Sequence, residues 1–260
     1  MRRTALAALC VAAATATTLT ACQSDKGDTV STSDKSTGAT ASATTTPEKD
    51  PFAGLSGGEI ADRALTATKG TSSLRVKGDI PDDETGDVIT IDMALNKKGE
   101  CAGTLSMGGG KTDLIRTGDT VYMKYNEAFL RAQSKGESPD EADSIVTMLA
   151  GKWTKTTATG EDAMDLSEFC DLNSLLDDTD EGRPVATRGK TTTVDGTPAV
   201  TVTEKDGKDV YTVYVATEGK PYVLRIDSTS AEDPGTISFS DFDKPVQARK
   251  PSGDIIDLDS

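Results

Sequence analysis

Between residues 89 and 95 the side chains alternate without a break: Ile89, Ile91, Met93 and Leu95 are large and apolar, while Thr90, Asp92 and Ala94 are small or polar. A period of two marks a half-buried strand. The turn Asn96-Lys97-Lys98-Gly99 leads to Cys101, Gly103, Leu105 and Met107, alternating with Ala102, Thr104 and Ser106. Gly108–Gly110 turns the chain toward a strand around Thr112–Arg116, and Thr117-Gly118-Asp119 leads into Val121, Met123 and Tyr125. The pattern is an antiparallel meander with one apolar face. Later turns at Asp195-Gly196, Asp206-Gly207 and Glu218-Gly219 frame strands over 199–203, 210–216, 222–226 and 237–242. In the third of these, alternation sets Tyr222, Leu224 and Ile226 on one face and Val223, Arg225 and Asp227 on the other.

Elsewhere the period lengthens. Ser56-Gly57-Gly58-Glu59 is a capping-box pattern, and Ile60, Ala61, Ala64, Leu65 and Thr68 follow at helical spacing until Gly70. Ser138-Pro139-Asp140-Glu141 opens a second helix, with Ala142, Ile145, Val146 and Leu149 on one face and Gly151 as its stop. Asp165–Glu168 starts a third, carrying Leu166, Phe169, Leu172, Leu175 and Leu176, with Cys170 on it. Trp153 lies between the last two. The order helix, strands, two helices, strands predicts an α+β fold. A single curved antiparallel sheet with helices packed in its concave face would bury every apolar face at once.

The first residues change the picture from fold to location. Arg2 and Arg3 precede an uncharged run from Ala5 to Leu19, which ends in Leu19-Thr20-Ala21-Cys22. This has the form of a signal peptide over 1–21, with too short an apolar run to span a bilayer. Small residues before a cysteine make the ending resemble a bacterial lipobox, so Cys22 is the expected lipid attachment point. A diacylglyceryl group supplies the two chains that firm anchoring needs. Residues 22–50 are then a lipidated cysteine and a Ser/Thr-rich tether, too poor in large apolar side chains to order itself. Its mean span as a random coil is about 30 Å. Residues 51–260 form the folded domain. The resulting location is the extracytoplasmic face of the cell membrane.

Charge and cysteine usage narrow the chemistry. Lys and Arg number 28 against 43 Asp and Glu, a formal net charge of −15, and loss of the leader removes two arginines and no acid. Such a chain is repelled by nucleic acid and by anionic headgroups. With Cys10 lost and Cys22 acylated, Cys101 and Cys170 remain, and two thiols in an exported chain pair as a disulfide unless both are buried free. Histidine is absent, which removes Ser-His-Asp and Cys-His nucleophiles and the common zinc and copper ligand sets. The densest acidic clusters, Asp82-Asp83-Glu84 and Asp177-Asp178-Thr179-Asp180-Glu181, read as solvated loops, and no phosphate or dinucleotide fingerprint occurs. The expectation is a protein that is not an enzyme, with no cofactor and no metal.

Several segments together resemble one known group. They are the lipobox at Cys22, Ser73-Leu-Arg-Val-Lys-Gly78, Gly118-Asp-Thr-Val-Tyr-Met-Lys124, Gly151-Lys-Trp-Thr154 and the Val-Tyr-Thr-Val-Tyr-Val strand at 210–215. Over about residues 56–245 the chain is similar to the LolA-like half-barrel lipoproteins of actinobacteria, the LppX–LprAFG family of lipid carriers. The resemblance implies a Gram-positive source and a half-barrel that holds acylated lipid between its sheet and helices. The inward wall would then be Ile89, Ile91, Met93, Leu95, Leu105, Met107, Val121, Met123, Tyr222, Leu224, Ile226, Ile237 and Phe239. Unbranched methionines on successive strands suit a deformable lining. The expected protein is a monomeric, membrane-anchored lipoprotein that binds or carries a lipid or other hydrophobic molecule. The competing expectation is a non-enzymatic interaction lipoprotein whose core is filled and holds no ligand.

Overall fold

Twelve strands form one sheet in the order β12-β6-β5-β4-β3-β2-β1-β11-β10-β9-β8-β7. The computed structural model describes residues 50–81, 87–159, 170–177, 185–230 and 234–259, which fall within one compact unit, Glu48–Ser260. The strands are β1 (Ser73–Pro81), β2 (Val88–Asn96), β3 (Cys101–Met107), β4 (Gly110–Thr117), β5 (Thr120–Tyr125) and β6 (Trp153–Thr157), then β7 (Val185–Val194), β8 (Thr197–Asp206), β9 (Asp209–Ala216), β10 (Val223–Thr229), β11 (Pro234–Ser240) and β12 (Ile255–Asp257). Every ladder is antiparallel except that of β12 with β6. The fold is α+β, a single open curved sheet with helices, as the alternation predicts. The signal peptide, Cys22, the tether to 49, the start of the third helix at Asp165, Asp82-Asp83-Glu84 and most of the second acidic cluster lie outside the described residues.

Both predicted capping boxes are present. Helix α1 (Gly57–Lys69) has Ser56 Oγ accepting from Glu59 N at 3.3 Å, while Glu59 Oε2 accepts from Ser56 N at 2.8 Å. Helix α3 (Pro139–Leu149) repeats the exchange between Ser138 and Glu141. A short helix that periodicity does not announce, α2 (Glu127–Gln133), is capped by Asn126 and packs on β4 and α3. The third expected helix is described as α4 (Leu172–Asp177), with Cys170 two residues ahead of it.

The inner face of the sheet carries the core. Helix α1 lies across β7, β8, β9 and β10 and inserts Ile60, Ala61 and Ala64 among Val200, Val202, Val213 and Val215. Its last turn is tied down where Thr68 Oγ1 accepts from Val223 N at 3.0 Å. Leu172 and Leu176 of α4 join the same cluster, and a Cys101–Cys170 disulfide, Cα atoms 5.3 Å apart, pins that segment to β3. Helix α3 is different: its apolar stripe meets α2, yet none of its residues is buried.

The two halves of the sheet meet at β1 and β11, strands from opposite ends of the domain, in register from Arg75↔Ser240 to Asp79↔Thr236. Gly78 sits in this seam where a Cβ would come within 2.2 Å of the Thr236 carbonyl oxygen, so the approach demands glycine. After β11 the chain leaves the sheet through Asp241 and Asp243, both at positive φ. Asp243 N–H donates to Ser73 O at 2.9 Å and Ser73 Oγ donates to Lys244 O at 2.6 Å. The segment then passes as a strap over the outer face and adds β12 to β6. There Leu258 N–H donates to Lys155 O at 3.0 Å, Lys155 pairs with Asp257 at 2.6 Å, and the Asp259 carboxylate accepts from Thr156 Oγ1 and Thr157 N.

Candidate functional site

The period-two pattern places most of the predicted wall where expected. Ile91, Met93, Leu95, Leu105, Val121, Met123 and Phe239 are buried in the inner cluster, and Ile89, Ile226 and Ile237 pack against it half-buried. Met107 is half-buried at the end of β3, opposite Ile89. Leu74, Val76 and Ile80 of β1 and Leu114 of β4 complete the surface. Their alternation is present in the sequence (Leu74, Val76, Gly78, Ile80).

Two predicted residues are not on it. A β-bulge between Val223 and Arg225 shifts the register of β10 on β9, and one extra residue reverses the facing of everything before it. Val223 therefore faces the main core together with Ile226. Leu224 joins a separate outer cluster with Val194, Ala199 and Ala216. Tyr222 lies before the strand, stacks on Phe242 with ring centroids 4.1 Å apart, and donates to Asp243 Oδ2 at 2.9 Å. It holds the strap instead of lining the wall.

Burial along the wall is graded. On β2 alone Leu95 and Met93 have no exposure and Ile91 has 2%, whereas Ile89 is half-buried. The sealed end carries Leu74, Leu95, Cys101 and the disulfide. At the other end Ile80, Ile226, Ile237, Tyr211, Ser228 and Gly235 border a cavity of about 110 Å³. That volume is well below the roughly 300–1,000 Å³ of ordinary small-molecule sites. The wall also carries buried threonines, Thr112 and Thr154. Thr112 Oγ1 is buried with no hydrogen-bond partner, facing inward between Leu105 and Tyr125 in the ladders.

The groups with altered proton affinity lie off this wall. Asp227 is the most fully engaged: burial works against its charge, but Arg225 at 2.6 Å, Tyr214 at 2.9 Å and Thr236 at 3.0 Å hold its carboxyl below the ordinary value. Asp243 is held well below the usual carboxylate range by Ser72 N–H, Tyr222 and Lys220. Both carboxylates are spent on structural bonds. Among the described residues no three Cys, Asp or Glu side chains converge as metal ligands, and no helix is long and apolar enough to cross a membrane.

The chain matches no known family profile and no curated protein by sequence. Among solved structures it is similar to the lipoprotein LppX of Mycobacterium tuberculosis, at 16% identity and TM-score 0.47, over 74% of this chain and 97% of that one. It is also similar to LprF of Mycobacterium bovis, at 15% identity and TM-score 0.48, over 75% and 96%. An uncharacterised conserved protein of Thermus thermophilus aligns over 77% and 98% with 9% identity and TM-score 0.33. LppX and LprF carry the names of the family that the sequence resembles.

Proposed function

We propose that the protein is a membrane-anchored, extracytoplasmic lipoprotein that binds or carries a lipid or other hydrophobic molecule on the inner wall of its sheet, and that it is not an enzyme. The observation that carries the reading is the grading of that wall. A continuous apolar surface is closed by a disulfide at one end and half-open at the other, around Ile80, Ile226 and Ile237. An acyl chain entering there would meet methionine and isoleucine in turn. It would take its room beside Ile80, Ile226 and Ile237, away from the end that the disulfide holds. The lipoprotein neighbours are consistent with this role, and Cys22 would supply the anchor. The absence of histidine, together with carboxylates committed to structural bonds, supports the non-catalytic part.

The test is organic extraction of the full chain purified from a lipid-rich host. Covalent acyl groups stay on the protein, and only molecules held non-covalently enter the extract. Mass spectrometry should find a lipid in near-stoichiometric amount, displaced by a fluorescent fatty-acid analogue. An empty extract, with no binding of the analogue, would sink the carrier reading in favour of the alternative. That alternative, a surface interaction lipoprotein with a filled core, is favoured by one specific observation, the small size of the inner cavity.

A further inference from the structure

The outer face of the sheet runs against the charge of the chain as a whole. The formal net charge is −15, yet the strap from 244 to 253 carries Lys244, Arg249 and Lys250 and no acid. Beneath it the acids are outnumbered. Asp113 on β4 is shared by Lys124 at 2.8 Å and Lys111 at 3.4 Å. Asp92 on β2 is shared by Arg75 at 2.5 Å and Lys77 at 4.0 Å. Four cations of the floor thus face two carboxylates, while Lys244 is met by Asp241 at 2.7 Å. Acid returns only toward β12, where Asp254 and Asp259 border the last hollow under the strap.

Strap and floor enclose a trench whose central part is a cavity of about 460 Å³, within the usual range for small-molecule sites. Arg75, Ala94, Ala102 and Ile115 stand side by side across β1, β2, β3 and β4, and the two alanines leave a dip between longer neighbours. Arg75 and Lys244 line the dip directly, Pro245 and Gln247 roof one side, and Trp153 flanks it from β6. A further hollow of about 360 Å³ continues past Lys97 and Lys98. The acid on its border, Asp243, is already held by Lys220 and Tyr222.

Charge and shape together narrow the ligand. A cation would add to the surplus on the floor, and a neutral molecule would leave it uncompensated. An anion relieves it, and a group with two negative charges matches it. A phosphate monoester carries about −1.5 to −2 charges at neutral pH, with three oxygens for several donors at once. A carboxylate supplies only one charge. Screening over about 8 Å at physiological ionic strength confines the attraction to groups seated in the trench. An extended polyanion would reach past it to the acidic remainder of the chain and be repelled there. The dip and Ile115 offer the organic part of a small ester an apolar seat.

We infer that the trench binds a small, soluble phosphate monoester, its phosphate among Arg75, Lys124 and Lys244 and its organic part over Ala94, Ala102 and Ile115. The site lies on the opposite face from the inner wall and is independent of whatever that wall holds. Trp153, the single tryptophan of the chain, reports on it. Lys124 Nζ lies 4.9 Å from its ring centroid, so a ligand that draws on Lys124 alters the field at the ring.

The experiment is a fluorescence titration of the full chain with phenyl phosphate, repeated by calorimetry, with benzoate as the carboxylate of the same ring. Saturable binding of phenyl phosphate is expected, tighter than that of benzoate and weakened by added salt. Lys124→Gln should weaken it by about tenfold, and Lys77→Gln, on an exposed side chain, by about threefold. Lys208→Gln makes the same charge change on the distant turn between β8 and β9 and should leave binding as it is. If Lys124→Gln does not fold, Lys77→Gln decides. Dihexanoyl phosphatidic acid separates the two sources of the same group. If it bound more tightly than phenyl phosphate and lost that binding in the same variants, the ligand would be a lipid headgroup and the soluble assignment would fall. No heat with phenyl phosphate, benzoate bound as tightly, unchanged binding in the folded floor variants, or an equal loss in Lys208→Gln would each overturn the site.

Discussion

The two ends of the inner wall are made of the same strands and the same kinds of side chain, yet they differ in what covers them. At the sealed end Leu74 and Leu95 have almost no exposure and Cys101 none, beneath the disulfide and Leu172. At the other end Ile80, Ile226 and Ile237 are only partly buried around a small cavity, and Ile89 is partly buried as well. Strand chemistry is therefore not what distinguishes a core from a candidate mouth here. The difference lies in one covalent staple and in the side toward which α1 and α4 insert. A carrier needs that asymmetry, because a wall sealed at both ends admits nothing and a wall open at both ends is an aggregation surface.

The largest effect is expected from breaking the staple. The disulfide closes a loop between residues 69 apart, so the Cys101→Ala/Cys170→Ala chain should lose about 4 kcal/mol on the chain-entropy account. Urea unfolding measures this, and a loss near zero would show that the sealed end is held by packing alone. Next, Met93→Ala in the sealed region should lose about 3 kcal/mol by leaving a cavity. Ile237→Ala at the open end should lose only about 1 kcal/mol and weaken fatty-acid analogue binding more than Met93→Ala does. Equal ligand effects at the two sites would erase the distinction between the ends. Thr112→Val replaces a buried, unpartnered hydroxyl by a methyl group and should stabilise the protein by about 1 kcal/mol, read as a rise in melting temperature.

The smallest effect at neutral pH concerns the clamp outside the sealed end. Asp243 is held below the ordinary carboxylate value, first by Ser72 N–H and then by Tyr222 and Lys220. A group depressed in the folded state contributes stability above its unfolded value, about 3.9, and loses it as pH falls through the lower folded value. Stability should therefore decline from about pH 4 downward. Asp243→Asn should lack that part of the slope, as a series of urea midpoints against pH will show.

Much of this architecture was legible because local rules suffice for it. The two capping boxes, the alternation of β2 through β5 and the turn at Asn96–Gly99 each depend on neighbours in sequence. The pairing of Cys101 with Cys170 followed from elimination. What was missed depends on distant contacts. The bulge at Val223–Arg225 is invisible to a period-two reading, and it moved Tyr222 and Leu224 off the wall. Strand β7 is rich in threonine, lysine and arginine on a sheet edge, and α2 is too short to show a period. The strap has no periodicity at all, because its place is fixed by Ser73 at one end and β6 at the other. Trp153 was singled out in the sequence, but nothing local could reveal the trench beside it.

The seam between β1 and β11 has a consequence for how the molecule comes into being. The first strand of the domain is flanked by the second and by the next to last, so the two half-sheets have no backbone link until residues near 235–240 are at hand. A chain that emerges N-terminus first therefore keeps this sheet incomplete until β11 is released. Its leading half waits with one ladder unfilled, and closing so long a loop is slow by topology. Folding of the whole sheet is thus gated by the arrival of one late strand.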